Sequence, residues 1–244
     1  MVRVIRQSNR GESEARNAGI LAARAAIVAM LDSDNIWMAG KLAAQIPLFA
    51  DKSVGFVFSG YETFGTERRS VLLGEWDAAP EKALESLLVG CCINTSTVIA
   101  RRDWLIAGGL FDAELRCCQD HELWLRIAAS GYRMDYVRRI LVRYRVHKEA
   151  TSANEGLVAA SSEIVFERLF DDHILPASFQ ERKRFYVSRC YLNSATRHLS
   201  ARDGRAAARA LCKALRERPT SFRLGWLRLG ILALWLEIRR SRDA

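Results

Sequence analysis

The stretch GESEARNAGILAARAAIVAMLDSDN, residues 11–35, decides the fold class. Ser13 can cap a helix that begins near residue 15, and residues 27–31 form the short apolar run of a buried strand. Asp32-Ser33-Asp34 follows at once, so two carboxylates occupy the loop at the carboxyl end of this strand. Because open α/β sheets bind their ligands at that end of their strands, the stretch predicts an α/β fold with a ligand site in this loop.

The alternation of helices and strands continues along the chain. Strands are predicted at residues 2–5, 54–59, 97–100 and 134–137, and helical patterns at residues 37–49, 84–89, 102–106 and 120–130. From residue 157 the pattern is mainly helical, with helices predicted at residues 158–170, 178–200, 204–217 and 221–240. The sequence therefore predicts an α/β domain over residues 1–155 and a C-terminal helical region over residues 156–244.

Basic residues are concentrated in the helical region. Residues 158–244 carry 17 basic and 9 acidic side chains, whereas residues 1–157 carry 20 and 19. This excess fits a solvated helical surface first and contact with an anionic membrane second. The helix predicted at residues 221–240 has an apolar run that Arg228 and Glu237 interrupt, so it is too short to span a bilayer and either docks on the protein or lies in a membrane interface. No basic motif interleaved with aromatic residues indicates nucleic-acid binding.

The cysteines and the first residues indicate the compartment. The six cysteines include two adjacent pairs, Cys91-Cys92 and Cys117-Cys118, and adjacent cysteines rarely form a disulfide because its geometry is strained. Free thiols suit a reducing cytoplasm. The N-terminal residues include arginines but no apolar run of signal-peptide length. We therefore expect a cytoplasmic protein, with peripheral contact at the inner membrane face as a further interpretation.

Two acidic clusters are candidates for chemistry. Asp32 and Asp34 have the Asp-x-Asp spacing that suits a divalent cation bound to a diphosphate, but by spacing alone a turn cap is the stronger interpretation. Asp120 opens the helix predicted at residues 120–130, where the helix dipole favours an ionised carboxylate whether it acts as a base or only as a cap. The residues alone leave these alternatives open.

Two stretches resemble the family 2 glycosyltransferases. Residues 11–35 are similar to the family's Gly-x-Ser-x-Ala-Arg-Asn helix, which leads into a strand that ends Leu-Asp-Ser-Asp-Asp. Residues 94–134, NTSTVIARRDWLIAGGLFDAELRCCQDHELWLRIAASGYRM, are similar to its acceptor half, and together the matches cover about residues 2–152. The resemblance implies a GT-A fold with a Rossmann-like mixed sheet. It also implies a metal-dependent, inverting transfer of one sugar from a nucleotide-diphosphate sugar to a glycan or lipid-linked acceptor.

The resemblance implies roles for four side chains on the donor side. Arg16 would lie near the donor, and Asp32 would lie near its ribose or sugar. Asp34 would bind a divalent cation, Mn²⁺ or Mg²⁺. His147 matches a segment near the diphosphate and is a second candidate metal ligand, although a lone histidine is more often structural.

On the acceptor side, the resemblance makes Asp120 the catalytic base that takes the proton from the acceptor hydroxyl. Glu122 would orient the acceptor, although stabilisation of the helix dipole explains an acidic residue in the first turn equally well. Two positions depart from the family pattern: Gln119 stands where a glutamate is common, and Asn35 replaces a second aspartate after Asp34. Neither change removes the expected base or metal ligand.

The resemblance starts only at the third strand of the usual fold. The first strand and turn, which grip the nucleotide base, and the later Asp-Asp-Gly-Ser type motif have no counterpart. We therefore expect an N-terminally truncated sheet with exposed apolar surface. A mis-called start, a truncated non-catalytic remnant and one part of a split enzyme are the alternatives. Because the Gln-x-x-Arg-Trp motif of the processive synthases is absent from the sequence, single transfers are expected.

Overall fold

The computed structural model describes residues 2–219, which form two compact units. The first unit contains the chain up to Leu115 together with Gln119–Lys148. The second contains Arg116–Cys118 and the chain from Glu149 onward. All six candidate site residues named above therefore lie in the first unit.

A mixed sheet forms the centre of the first unit. Within the described residues its strands are β1 (Ile27–Ala29), β2 (Ile36–Trp37), β3 (Val54–Gly65), β4 (Ser70–Val71), β5 (Ile99–Arg101) and β6 (Arg133–Val146). In space they are ordered β1-β5-β3-β6-β2, with β4 beside β3. The long strands β3 and β6 run parallel, and every other pair is antiparallel. The predicted α/β fold with a mixed sheet is confirmed.

Helices that accompany this sheet are α1 (Glu12–Ala22), α2 (Lys41–Gln45), α3 (Pro80–Val89), α4 (Arg102–Ala107) and α5 (Gln119–Ala129). The apolar spacing along α5 brings Trp124 into the core, where it is completely buried. Its ring meets the ring of Phe56 on β3 nearly edge to face, with the centroids 4.6 Å apart. This packing fixes α5 against the sheet, and with it the helix N-terminus that carries Asp120.

One local prediction is wrong and another is confirmed only in part. Residues 2–5 form no strand, and Val2 and Val4 are 91% and 75% exposed. A strand needs a neighbour with which to share hydrogen bonds, and in the described sheet the end strand β1 pairs with β5 alone. The helix predicted at residues 37–49 starts late because Ile36 and Trp37 pair with β6 instead. Only Lys41–Gln45 is α-helical there, and Ile46–Ala50 follows as a 3-10 helix.

The second unit is helical, as predicted. Its described helices are α6 (Glu155–Asp171), α7 (Ala177–Gln180), α8 (Lys183–Ser200) and α9 (Gly204–Glu217). Asn154 and Asp203 cap α6 and α9, because their side chains accept hydrogen bonds from backbone N–H groups in the first turns. In the described part of the chain no helix is long and apolar enough to cross a membrane. The helix predicted at residues 221–240, to which the interfacial interpretation applied, lies outside the described residues.

Candidate active site

Arg16 and Asp32 form an ion pair at the carboxyl end of β1. Arg16 Nη2 lies 2.8 Å from Asp32 Oδ1 and 3.2 Å from Glu12 Oε2, one turn earlier on α1. The guanidinium also lies over the ring of Phe111, 5.5 Å from its centroid. Burial opposes the charge on Arg16, but Asp32, Glu12 and Asp120 outweigh it and raise the pKa of Arg16 above its ordinary value. The candidate carboxylates Asp32 and Asp120 therefore stabilise the charged form of Arg16, and Asp32 contacts it directly.

Asp34, two residues after Asp32, lies beside His147, which directly follows β6. Asp34 Oδ2 lies 3.4 Å from His147 Nε2, and both side chains are 38% exposed. Arg145 Nε also donates to the backbone carbonyl of Asp34, at 3.2 Å. Within residues 2–219 no group of three or more His, Cys, Asp or Glu side chains could hold a metal by itself. One carboxylate and one imidazole do fit Mn²⁺ or Mg²⁺ when a diphosphate and water complete the coordination.

Asp120 occupies the first turn of α5 and is partly exposed. Its Oδ1 accepts a hydrogen bond from the backbone N–H of His121 at 2.7 Å, and its Oδ2 accepts one from Thr95 Oγ1 at 3.1 Å. The positive end of the helix dipole lies beside this carboxylate. A partly exposed carboxylate in this position is chemically able to accept a proton.

A short 3-10 turn, Thr95–Thr97, connects these side chains, and sequence reasoning missed it. We call it the Thr-Ser turn. Thr95 reaches Asp120, and the Ser96 hydroxyl lies 3.3 Å from Asp32 Oδ2. Ser96 also binds Asn35, whose Oδ1 accepts from the backbone N–H of Arg145. Threonine and serine in a loop carry no signal that separates this arrangement from an ordinary turn, so only the fold reveals it.

Glu122, the expected acceptor residue, is engaged within its own helix. Its Oε2 accepts from Arg126 Nη2 at 2.7 Å, and its Oε1 accepts from Arg126 Nε. Arg126 Nη2 also donates to the carbonyl of Leu110, at 2.6 Å. The pair therefore ties the turn that contains Gly109 and Leu110, both at positive φ, to α5. An acceptor role for Glu122 stays a prediction.

The chain is similar to known glycosyltransferases. A family model described as glycosyl transferase family 2 matches residues 1–103. The Escherichia coli protein WfaP, a UDP-Glc:alpha-D-GlcNAc-diphosphoundecaprenol beta-1,3-glucosyltransferase, is 32% identical over 148 residues. That match covers 60% of this chain and 56% of WfaP. The putative teichuronic acid biosynthesis glycosyltransferase TuaG of Bacillus subtilis is 27% identical over 71% of this chain and 68% of its own length.

Solved structures confirm the GT-A type of fold. The S. aureus TarS fragment 1–349, in complex with UDP-GlcNAc, superimposes with a TM-score of 0.59 at 15% identity. The match covers 98% of this chain and 70% of the TarS chain. The mannosyltransferase PcManGT from Pyrobaculum calidifontis, in complex with GDP-Man and Mn²⁺, gives a TM-score of 0.55 at 19% identity, over 93% of this chain and 65% of its own. At these identities the likeness concerns the fold.

Proposed function

Because the chain belongs to glycosyl transferase family 2, we propose that it transfers one sugar from a nucleotide-diphosphate sugar to a glycan or lipid-linked acceptor, with inversion at the anomeric carbon. The observation that carries the proposal is the linkage of Arg16, Asp32 and Asp120 through the Thr-Ser turn. A cation, a donor-side carboxylate and a carboxylate suited to act as a base are thereby joined in one network.

On the donor side, we assign Asp32 to a hydroxyl of the ribose or of the sugar. Arg16 and Ser96 both bind this carboxylate, so they restrict its rotation and leave part of its acceptor capacity for a ligand. Arg16 offsets part of the negative charge of Asp32, Glu12 and Asp120 where an anionic donor would enter. Rigid preorganisation of this kind lowers the cost of ordering the site when the donor binds.

Asp34 and His147 would hold Mn²⁺ or Mg²⁺ against the donor diphosphate. When bound, such an ion neutralises the negative charge that develops on the departing nucleoside diphosphate. Arg145, which already contacts the backbone of Asp34, keeps this loop against β6. The carboxylate and imidazole atoms lie 3.4 Å apart, so both would be able to serve as ligands of one ion.

Asp120 is the proposed base. It takes the proton from the acceptor hydroxyl while that oxygen attacks the anomeric carbon from the side opposite the leaving diphosphate, and this displacement inverts the configuration. Thr95 and the backbone N–H of His121 bind the two oxygens of Asp120 and hold the carboxylate in one orientation. The general-base step contributes about 10²- to 10⁴-fold to the rate in comparable enzymes.

We also propose that the chain binds its acceptor at a membrane surface. WfaP uses a sugar linked to diphosphoundecaprenol, and an acceptor of that class would keep the reaction at the cytoplasmic face of a membrane. The excess of basic residues over residues 158–244, 17 against 9 acidic, would favour contact with anionic lipid headgroups there.

Calorimetric titration of nucleotides into the purified chain tests the donor site. We expect UDP, or another nucleoside diphosphate, to bind in the presence of Mn²⁺, and Asp34→Asn to weaken that binding at least about tenfold because one metal ligand is lost. Asp172→Asn, at an exposed aspartate of the second unit, is the matched control and should bind like the wild type. If the folded wild-type chain binds no nucleotide, or if Asp34→Asn binds equally well, the proposed donor site is wrong.

A further inference from the structure

We propose that Thr95 and Ser96 are positioning residues: together they hold the donor-side carboxylate of Asp32 and the base Asp120 in fixed relation to each other. This inference rests on the proposed function and deepens it. It assigns to the Thr-Ser turn the task of aligning the two halves of the reaction, although neither hydroxyl is expected to touch the reacting atoms.

The Thr-Ser turn is fixed by its own hydrogen bonds. Asn94 caps it, because its Oδ1 accepts from the backbone N–H of Ser96 at 3.0 Å. Thr97 Oγ1 donates to the carbonyl of Asn94 at 2.6 Å, and the backbone N–H of Thr97 donates to the same carbonyl at 2.9 Å. The side chains of all three turn residues are almost completely buried. Such a turn has little freedom to move when a ligand arrives.

Side chains from the β2–α2 segment anchor the same turn from behind. Trp37 Nε1 donates to the carbonyl of Ser96 at 2.9 Å. Gln45 Nε2 donates to the carbonyl of Thr97 at 2.9 Å, and Lys41 Nζ in turn donates to Gln45 Oε1 at 2.7 Å. The backbone of the turn is therefore bound on its inner side. The hydroxyls of Thr95 and Ser96 are directed to the carboxylates.

The hydrogen bonds of Ser96 fix the direction of its proton. Its Oγ accepts from Asn35 Nδ2 at 2.9 Å and from the backbone N–H of Asp32 at 3.0 Å. A hydroxyl has two acceptor positions and one proton, so the proton remains for Asp32 Oδ2, 3.3 Å away. Asn35 is suited to this position because an amide can donate to the serine while its oxygen accepts from Arg145. An aspartate at position 35, as the family pattern has it, would have no N–H group to donate to Ser96 when ionised, whereas Asn35 does.

Thr95 performs the equivalent task for the base. Its Oγ1 lies 3.1 Å from Asp120 Oδ2, and the hydroxyl is buried while the carboxylate is partly exposed. The two hydroxyl–carboxylate distances, 3.1 Å at Asp120 and 3.3 Å at Asp32, are longer than the usual range of about 2.5–3.0 Å for such bonds. Hydrogen bonds at catalytic sites commonly shorten when substrate binds. Thr95 and Ser96 are consecutive residues of one rigid turn. If the hydrogen bond from one hydroxyl shortens, the hydrogen bond from the other resists any movement of the turn. The distance between the carboxylates of Asp120 and Asp32 is thereby kept constant.

Substitutions at Thr95 and at Ser96 should affect different kinetic and binding constants. This difference distinguishes a positioning role from a general loss of stability. Thr95→Val removes the bond to the base, so we expect kcat to fall about tenfold while the KM for the donor stays within about twofold. Thr95→Ser keeps the hydroxyl and should restore kcat. Ser96→Ala releases the donor-side carboxylate and should weaken Mn²⁺-dependent UDP binding about tenfold. Thr196→Val, at an exposed threonine of α8, is the matched control.

Steady-state transfer kinetics and calorimetry on the full chain test whether Thr95 and Ser96 are positioning residues. Thermal unfolding followed by circular dichroism shows whether each variant is folded. Thr95→Ala is the second variant, since it removes the hydroxyl without adding a methyl group next to a carboxylate. The inference is overturned if both Thr95→Val and Thr95→Ala retain wild-type kcat, or if Thr95→Ser is as slow as they are. A wild-type chain that neither binds UDP nor transfers sugar would instead refute the proposed function, and this inference with it.

Discussion

Lys41 gives the sharpest prediction about stability. It is the first residue of α2, it is only 2% exposed, and burial lowers its pKa from 10.5 to about 7. Its Nζ atom donates to Gln45 Oε1 and lies 4.7 Å from the centre of the Trp37 ring. No carboxylate in the described part of the chain forms an ion pair with it. A helix N-terminus also disfavours a cation, so the protonated form destabilises the fold.

The sign and size of the effect of Lys41 on the free energy of unfolding follow from proton linkage. Between pH 7 and pH 10.5 the unfolded lysine is protonated while the folded one is not, so the free energy of unfolding rises with pH across this window. The same stability is lost as the pH falls from 10.5 to the folded pKa of about 7, and below that pKa it changes no further, because both states are then protonated. A tenfold difference in proton affinity corresponds to about 1.4 kcal/mol, which sets an upper limit of about 5 kcal/mol for the whole effect. We expect about 3 kcal/mol between pH 7 and pH 10.

Lys41→Met isolates this contribution, because the side chain keeps its length and loses the titrating group. Urea unfolding followed by tryptophan fluorescence at pH 7 and pH 10 should show that the stability of Lys41→Met relative to wild type falls by about 3 kcal/mol as the pH rises. The bond to Gln45 that the variant lacks adds an offset that is the same at both pH values. Lys52→Met, at an exposed lysine, should show no such change. A relative stability of Lys41→Met that is independent of pH would refute the reasoning.

Two further variants probe the fold and the acceptor side. Gly55→Ala should destabilise the first unit by about 2 kcal/mol or more, because a Cβ at this position would lie 1.4 Å from Trp104 Cε3; Gly74→Ala, with nothing within 4 Å, is its control in thermal unfolding, and equal melting temperatures would contradict the packing described. Glu122→Gln should lower the free energy of unfolding by about 1 kcal/mol, because it weakens the pair with Arg126. A raised acceptor KM with unchanged stability would instead indicate that Glu122 binds the acceptor.

Secondary structure could be predicted from the sequence where a local pattern of apolar residues determines the element. An apolar run ending in Asp-x-Asp correctly predicted β1 and the loop that follows it, because a buried strand leaves a clear signal. Residues 2–5 include three apolar side chains but form no strand. A strand needs a neighbouring strand, and a short stretch of sequence does not show whether one is present. Trp37 shows the reverse case: the sequence predicts a helix from this residue onward, but its pairing with β6 places it in a strand.

In the candidate site too, some features can be predicted from the sequence and others depend on residues that are distant in the sequence. The resemblance assigns Arg16 and Asp32 to the donor side, and the fold joins them in an ion pair. The sequence does not predict the Thr-Ser turn, because the turn depends on contacts to residues 25 and 64 positions away in the sequence. Long-range hydrogen bonds of small hydroxyl side chains have no periodicity, so a single sequence contains no signal for them.

The most direct test of the account is the transfer reaction itself, with Asp120→Asn beside the wild type. The purified chain, UDP-α-glucose, Mn²⁺ and a GlcNAc-diphospholipid acceptor would be combined, and the linkage of the product would be determined by NMR, with further nucleotide sugars as alternative donors. We expect the wild type to form a β-linked product. We expect Asp120→Asn to be slower by about 10²- to 10⁴-fold with nucleotide binding unchanged, because an amide cannot accept the proton. An α-linked product, or an Asp120→Asn variant as fast as the wild type, would contradict the assignment of Asp120 as the base of an inverting transfer.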